Sequence, residues 1–202
     1  MSRTTRARAK LVRKFKENIF GNPKFDRILA KKPYPPGAHG KKMRRRLSAF
    51  GQQLEEKQKL RLMYDLTEKQ FRRLYDLARK TQAATGEKLL QLLETRLDSV
   101  VFRAGFSATV AAARQLVNHG HLSVDNKKVN IPSYRVKPGQ VVALSAKAQK
   151  IPEVAALLTK KDNQPPAWLE RKAALVKLKR LPERKELNLN IQEQLIVEYY
   201  SR

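Results

Sequence analysis

Between Ser107 and Leu144 the apolar residues change period once, and that change dictates a helix followed by short strands. From Ser107 to Asn118, Val110, Ala113 and Val117 recur at helical spacing and turn inward, which leaves Arg114, Gln115 and Asn118 on one exposed face. Alternation then takes over in Leu122-Ser123-Val124 and Lys128-Val129-Asn130-Ile131. Between these runs Asp125-Asn126 tolerates the left-handed backbone of a tight hairpin. Pro132-Ser133-Tyr134-Arg135-Val136, the turn Lys137-Pro138-Gly139-Gln140 and a strand Val141-Val142-Ala143-Leu144 close the run. Ahead of it, Leu89, Leu93, Leu97 and Val101 repeat at intervals of four, from Thr85 until Gly105 stops the helix. Residues 94–157 therefore read as two helices packed on a small, mainly antiparallel sheet, joined without a flexible hinge to what precedes them.

The preceding block, residues 51–93, is helical by pattern. Thr67 with Gln70 makes a capping box, Leu66 and Phe71 can staple it, and Phe71, Leu74, Tyr75 and Ala78 follow core-facing spacing. Leu54, Gln58 and Arg61 to Tyr64 suit an earlier helix. Beyond Leu144 the signals are sparser: a short helix over Ile151 to Leu158, a loop at Asp162-Asn163-Gln164-Pro165-Pro166, and an edge strand where Ala173, Leu175 and Lys177 alternate with Val176 and Leu178. Residues 158–185 thus read as a loop and edge strand leading to a tail, 186–202. In that tail Asn190 is placed to cap a helix, with Glu193 reaching back and Tyr199-Tyr200 in the core. The fold class is α+β, with a mostly helical first domain and an inserted α/β module.

Charge enters because one stretch resists folding. Lys and Arg number 44 against 18 Asp and Glu, a net +26, so a polyanion is the expected partner. Residues 1–50 hold sixteen of those cations and only Glu17 and Asp26 as acids. Like charges repel, Pro23, Pro33, Pro35 and Pro36 interrupt, and Phe15, Ile19, Phe20 and Phe25 support at most short helices, so this segment reads as an extended basic arm that orders on phosphates. No apolar run has spanning length, and a membrane is not expected as a partner. There is no cysteine, which excludes disulfides and thiolate metal sites and fits a reducing compartment, the cytoplasm or its organellar equivalent. His119 and His121 flank Gly120 without a carboxylate cluster, so neither a metal nor a cofactor is expected.

An RNA surface needs cations at phosphate spacing, flat groups that stack, and donors for sugar hydroxyls. In Tyr34-Pro35-Pro36-Gly37-Ala38-His39-Gly40, proline extends the backbone and glycine permits close approach. Tyr34 and His39 offer flat faces just ahead of Lys41, Lys42, Arg44, Arg45 and Arg46. Ser107 and Thr109 mark the start of the second module helix, where backbone N–H groups and the helix dipole favour a phosphate, and Arg114, Gln115 and His119 lie along it. Arg103, Lys127, Lys128 and Arg135 are basic residues beside tight turns, with little structural reason to be there.

The words RLDSVVFRAGF, ARQLVNHGH and NKKVNIPSYRVKPGQ resemble the RNA-binding module of the bacterial small-subunit ribosomal protein four family. Tyr34 to Gly40 resembles that family's arm, Leu54-Glu55-Glu56-Lys57-Gln58-Lys59 its first core helix, and Glu193 to Ser201 its ending. The resemblance implies a noncatalytic protein that binds small-subunit (16S-type) ribosomal RNA, clamps a multi-helix junction during assembly, and influences decoding accuracy. It also implies contact with the neighbouring ribosomal protein five and with messenger RNA at its entry path, no homo-oligomer, and a tail that returns to the first domain. Some members hold zinc through cysteines in the arm, a pattern this chain departs from. Pseudouridine synthases and tyrosyl-tRNA synthetases carry similar modules, and Arg96-Leu97-Asp98 resembles the triplet around the synthases' catalytic aspartate. Here it falls in an apolar helical run, where capping or pairing with Arg96 or Arg103 is the expected role of Asp98, and the assigned segments leave no room for a catalytic domain.

Overall fold

A computed structural model describes residues 7–41, 47–160 and 164–201. In chain order the elements are α1 (Arg8–Phe15), α2 (Pro23–Lys31), α3 (Ala49–Met63), α4 (Glu68–Arg79), α5 (Thr85–Glu94), α6 (Leu97–Arg103), α7 (Val110–Asn118), β1 (Leu122–Val124), β2 (Lys127–Lys128), β3 (Val141–Leu144), α8 (Ala146–Gln149), α9 (Pro152–Thr159), β4 (Leu169–Lys172), β5 (Leu175–Leu178) and α10 (Glu193–Tyr200). Contacts divide the chain into two compact units, one of residues up to Asp76 with those from Asn190 onward, the other Leu77–Leu189.

In the first unit the arm carries more structure than its charge suggests. Leu11, Val12 and Ile19 are buried in a cluster with Leu62 of α3, and Phe15, Phe20, Phe25, Leu29 and Met63 pack around them. The expectation of an extended arm is corrected here: the short helices that Phe15, Ile19, Phe20 and Phe25 can support do form, and their apolar faces build a core. α1 and α2 each gather their apolar side chains on one face, so the cations lie outside and their repulsion is met by solvent rather than by one another. Asn22 caps α2 by accepting from the Lys24 N–H at 2.9 Å, and Glu17 pairs with the buried Lys59 of α3. The Thr67–Gln70 capping box forms as expected, with reciprocal bonds of 3.2 and 3.3 Å.

α10 packs along α3 in the same unit. Gln53 Nε2 donates to Glu198 Oε2 at 2.9 Å, and the Tyr200 hydroxyl donates to Glu68 Oε1 at 2.6 Å while its ring lies 4.6 Å from that of Tyr75. Burial pushes the Glu68 carboxyl up, but hydrogen bonds from Lys57 and Tyr200 and the charges of Lys57 and Arg61 outweigh it and hold the group below its usual range. The expected cap at Asn190 does not form. α10 is entered from Gln192 with no side-chain cap, so Asn190 lies two residues ahead of the capping position; there its side-chain Nδ2 donates to Glu17 Oε2 at 3.5 Å and its backbone carbonyl accepts from Lys59 Nζ at 2.6 Å.

The second unit contains a five-stranded antiparallel sheet in the order β2-β1-β3-β5-β4. Leu122, Val124, Val142, Leu144, Val176 and Leu178 face one side and join Leu97, Val101, Phe106, Val117 and Trp168 in one core. β5, read from the sequence as an edge strand, lies between β3 and β4, so residues 158–185 build the sheet rather than merely connect to the tail. The edge on that side is β4, which the sequence pattern did not mark because Glu170 and Lys172 sit on its solvent side. The expected strand 128–131 ends at Lys128, and Ile131 is 56% exposed.

The run of leucines at intervals of four is two helices, not one. Arg96 is extended (ψ 144°), and there the backbone leaves the helix to pair with the 132–136 segment: Leu97 N–H donates to Tyr134 O and Val136 N–H to Thr95 O, both at 2.8 Å. Those external bonds replace the helical bonds lost at the break.

Candidate nucleic-acid interface

Burial sorts the expected contact residues of the module into two groups. Arg103 and Arg114 turn toward buried carboxylates. Arg103 forks onto Glu94, with Nη2 2.6 Å from Oε1 and Nε 2.9 Å from Oε2, and Glu94 has no exposed surface. Arg114 donates through Nη2 and Nε to Asp98 Oδ2 at 2.7 and 3.0 Å; the same carboxylate accepts from Arg96 Nε and Nη2, and from the Ser99 N–H. The expected outward face of α7 is corrected accordingly: Arg114 is partly covered while Gln115 and His119 are exposed. Asp98 pairs with Arg96 as expected, but its second partner is Arg114 rather than Arg103. Its carboxylate is wholly covered.

Ser107 is also inside. Its hydroxyl donates to the Thr109 carbonyl at 3.2 Å and the residue is 6% exposed, so it does not cap α7. Thr109 takes that place, accepting from the Ala112 N–H at 3.2 Å. The helix starts at Val110 because Ser107 bonds forward within the loop, a local competition that Ser favours.

Lys127, Lys128 and Arg135 form the other group, all exposed. Asp125 and Asn126 carry the two lysines at φ 46° and 65°, the left-handed pair that a two-residue hairpin requires. The Asp125 carboxylate accepts from the Val141 N–H at 3.0 Å and from Gln140 at 2.8 Å, and these bonds, the backbone one first, hold its carboxyl below the usual range. Lys128 crosses the turn after α7 where Gly120 has φ 68°: a Cβ there would stand 2.4 Å from Lys128 Cε. His119 and His121 flank that crossing with rings 6.0 Å apart.

In the first unit, Tyr34–Gly40 is a compact turn rather than an open strap. Arg13 donates to the carbonyls of Tyr34 and Pro35 at 3.0 and 3.1 Å, and its guanidinium lies 4.9 Å from the Tyr34 ring centre, with Lys41 at 5.6 Å. At Gly40 a Cβ would collide with the Pro35 carbonyl. His39 and Lys41 are exposed; Tyr34 is half-buried beneath its cations. Lys42, Arg44, Arg45 and Arg46 lie outside the described residues.

Sequence reasoning missed Arg171 of β4. It donates to the carbonyls of Ala104 and Leu158, near the ends of α6 and α9, and stands 5.3 Å from the Phe106 ring centre. Burial lowers its pKa, yet a cation at helix C-termini is favoured by the dipole. Nothing in the spacing of residues 169–172 signals this, since Ala104 and Leu158 are brought to Arg171 only by the tertiary fold.

These features define the class: a strongly cationic α+β protein whose second unit sets two helices and a basic hairpin on an antiparallel sheet. Residues 3–94 match the Ribosomal protein S4/S9 N-terminal domain, and residues 95–142 match the S4 domain. The chain is 48% identical to "Small ribosomal subunit protein uS4" of Parabacteroides distasonis, and 47% identical to the proteins so named of Porphyromonas gingivalis and Brevibacillus brevis, with the whole of both chains covered each time. The chain belongs to the ribosomal protein S4 family. Among the described residues, no helix is long and apolar enough to cross a membrane.

Proposed function

We propose that this chain is a noncatalytic structural protein of the small ribosomal subunit, acting in the cytoplasm, that binds small-subunit ribosomal RNA directly and clamps a multi-helix junction as the subunit body assembles. The observation that carries the reading is the exposed group of Lys127, Lys128 and Arg135, displayed on a rigid hairpin and the adjoining loop while neighbouring arginines are neutralised inside. Exposed cations that bind phosphates release their condensed counterions, and affinity gains accordingly. The Tyr34–Gly40 turn, with His39 and Lys41 exposed, supplies a second contact region, and Gln115 and His119 extend the first. Ribosomal protein five and messenger RNA at the entry path are the further partners in this reading, and decoding accuracy is the property that this chain influences.

The test is a salt titration of binding to a small-subunit ribosomal RNA transcript, for the parent and for Lys127→Gln/Lys128→Gln/Arg135→Gln. The parent should prefer this transcript to an unrelated RNA of equal length. The variant should bind less tightly, with a slope of log affinity against log salt shallower by about two, from roughly 0.7–0.9 per neutralised phosphate. A parent without preference, or a variant with an unchanged slope, would overturn the reading.

A further inference from the structure

The geometry points to Gln140 as the positioning residue of the module's cationic surface: its side-chain amide ties the Lys127-Lys128 hairpin to the Arg135 loop, so that three cations on two segments are presented to RNA as one set. The inference rests on the RNA-binding reading above and adds to it a residue that need touch no RNA. Nε2 donates to Asp125 Oδ2 at 2.8 Å and to the Tyr134 hydroxyl at 3.3 Å, while Oε1 accepts from the Lys137 N–H at 2.9 Å. Asp125 opens the turn that carries both lysines, and Tyr134 and Lys137 stand on either side of Arg135.

The amide is itself anchored from behind. The Gln140 carbonyl accepts from the Leu178 N–H at 3.1 Å, its own N–H donates to the Lys137 carbonyl at 3.1 Å, and the Gly139 N–H donates to the Leu178 carbonyl at 2.7 Å. Leu178 ends β5, an interior strand, so the bonds run from the middle of the sheet outward to the two segments that carry the charge. Those segments need the support. β2 is only two residues long and lies at the edge of the sheet, and Arg135 meets Arg96 through an isolated bridge rather than a strand.

A glutamine that only closed its own turn would need the Lys137 bond and nothing more. Here Nε2 reaches two further groups, fifteen and six positions away in the chain, and both polar atoms of the side chain have partners. The task selects the residue type. A neutral amide carries donors and an acceptor together, whereas a glutamate would offer Asp125 no proton and set a second negative charge beside it. Because these bonds exist before RNA arrives, their benefit is preorganisation: cations already in place lose less freedom on binding, while the number of phosphates neutralised in the complex is unchanged.

A double-mutant cycle on full-length proteins tests this with a small-subunit ribosomal RNA transcript: the parent, Gln140→Met, Lys127→Gln/Lys128→Gln/Arg135→Gln, and all four substitutions together. Methionine keeps the length of the side chain and removes its hydrogen bonds. Gln140→Met should weaken binding by the parent about fivefold to tenfold, the scale of one or two hydrogen bonds, with the salt slope unchanged. In the triple variant the same substitution should change affinity less than about twofold, because the cations it positions are gone. Equal losses in both backgrounds, or no loss in the parent, would overturn the inference while the RNA-binding reading stands. A parent that does not prefer the transcript to an unrelated RNA would overturn both. In the free protein, the Asp125 carboxyl is held low by the Val141 N–H first and by Gln140 second, so its titration followed by NMR should move upward in Gln140→Met; an unmoved titration would sink the idea. Hydrogen exchange separates positioning from stability: β1 and β3 should keep their protection while β2 and Tyr134 exchange faster. Loss of protection across the whole sheet would make Gln140 a stability residue and overturn its positioning role.

Discussion

Arg114 of α7 lies against Asp98 of α6, with Nη2 2.7 Å from a carboxylate oxygen that has no access to solvent. Arg96 binds the same carboxylate at 2.8 Å, so one buried charge joins the two module helices and the start of the segment that pairs with residues 132–136. Breaking a buried ion pair by removing one partner typically costs about 3–5 kcal/mol, because the other charge is left uncompensated. Arg114→Ala should cost less, roughly 2–3 kcal/mol, since Arg96 still faces Asp98. Asp98→Asn should cost more, as two guanidinium groups then lose their counter-charge. Thermal or urea unfolding of the two variants gives the order, and the opposite order would contradict this role for Asp98.

The arm is part of the first unit's core. Leu11→Ala should destabilise the protein by about 2–4 kcal/mol, as expected for a leucine removed from a packed cluster. Deleting residues 1–45 should go further, uncovering Leu62 and stripping Lys59 of Glu17. Hydrogen exchange of α3 reads both effects: the truncated chain should lose protection there, while β1 and β3 keep theirs.

Two positions test backbone geometry in opposite directions. Gly120 has φ 68° beside Lys128, so Gly120→Ala should cost about 1–2 kcal/mol for the left-handed conformation alone. Ala173, at φ 49° between β4 and β5, already bears that strain. Ala173→Gly should relieve it at some entropic cost in the unfolded chain and stabilise by about 0.5–1 kcal/mol. Urea midpoints at constant slope would show both signs.

Acid should weaken the fold through Glu68 and Asp125, whose folded pKa values lie below their ordinary ones. For a carboxyl with a depressed folded pKa, the stabilisation is complete above the unfolded value, near 4, and is lost as pH falls through the folded value. Melting temperature should therefore fall progressively below about pH 5. Glu68→Gln should flatten that dependence and lower stability at neutral pH, where the ion pairs with Lys57 and Arg61 are lost.

Much of the architecture is legible in local chemistry. The capping box at Thr67, the left-handed pair Asp125-Asn126, the strand Val141–Leu144 and the helix after Ile151 each depend on residues within a few positions of one another, and each forms.

What the sequence by itself determined is the α+β class, the helical and alternating segments, and the excess of cations that makes a polyanion the natural partner. Only the tertiary structure decided which cations remain outside. Arg103 and Arg114 look like Lys127 and Lys128 in a string of letters, yet they meet Glu94 and Asp98 across nine and sixteen positions of chain. Likewise the break at Arg96, the interior place of β5 and the burial of Leu11 and Val12 follow from partners far away in sequence. Periodicity reports which face of an element is apolar, whereas the identity of what that face meets is settled only when distant segments compete for the same core and the same carboxylates.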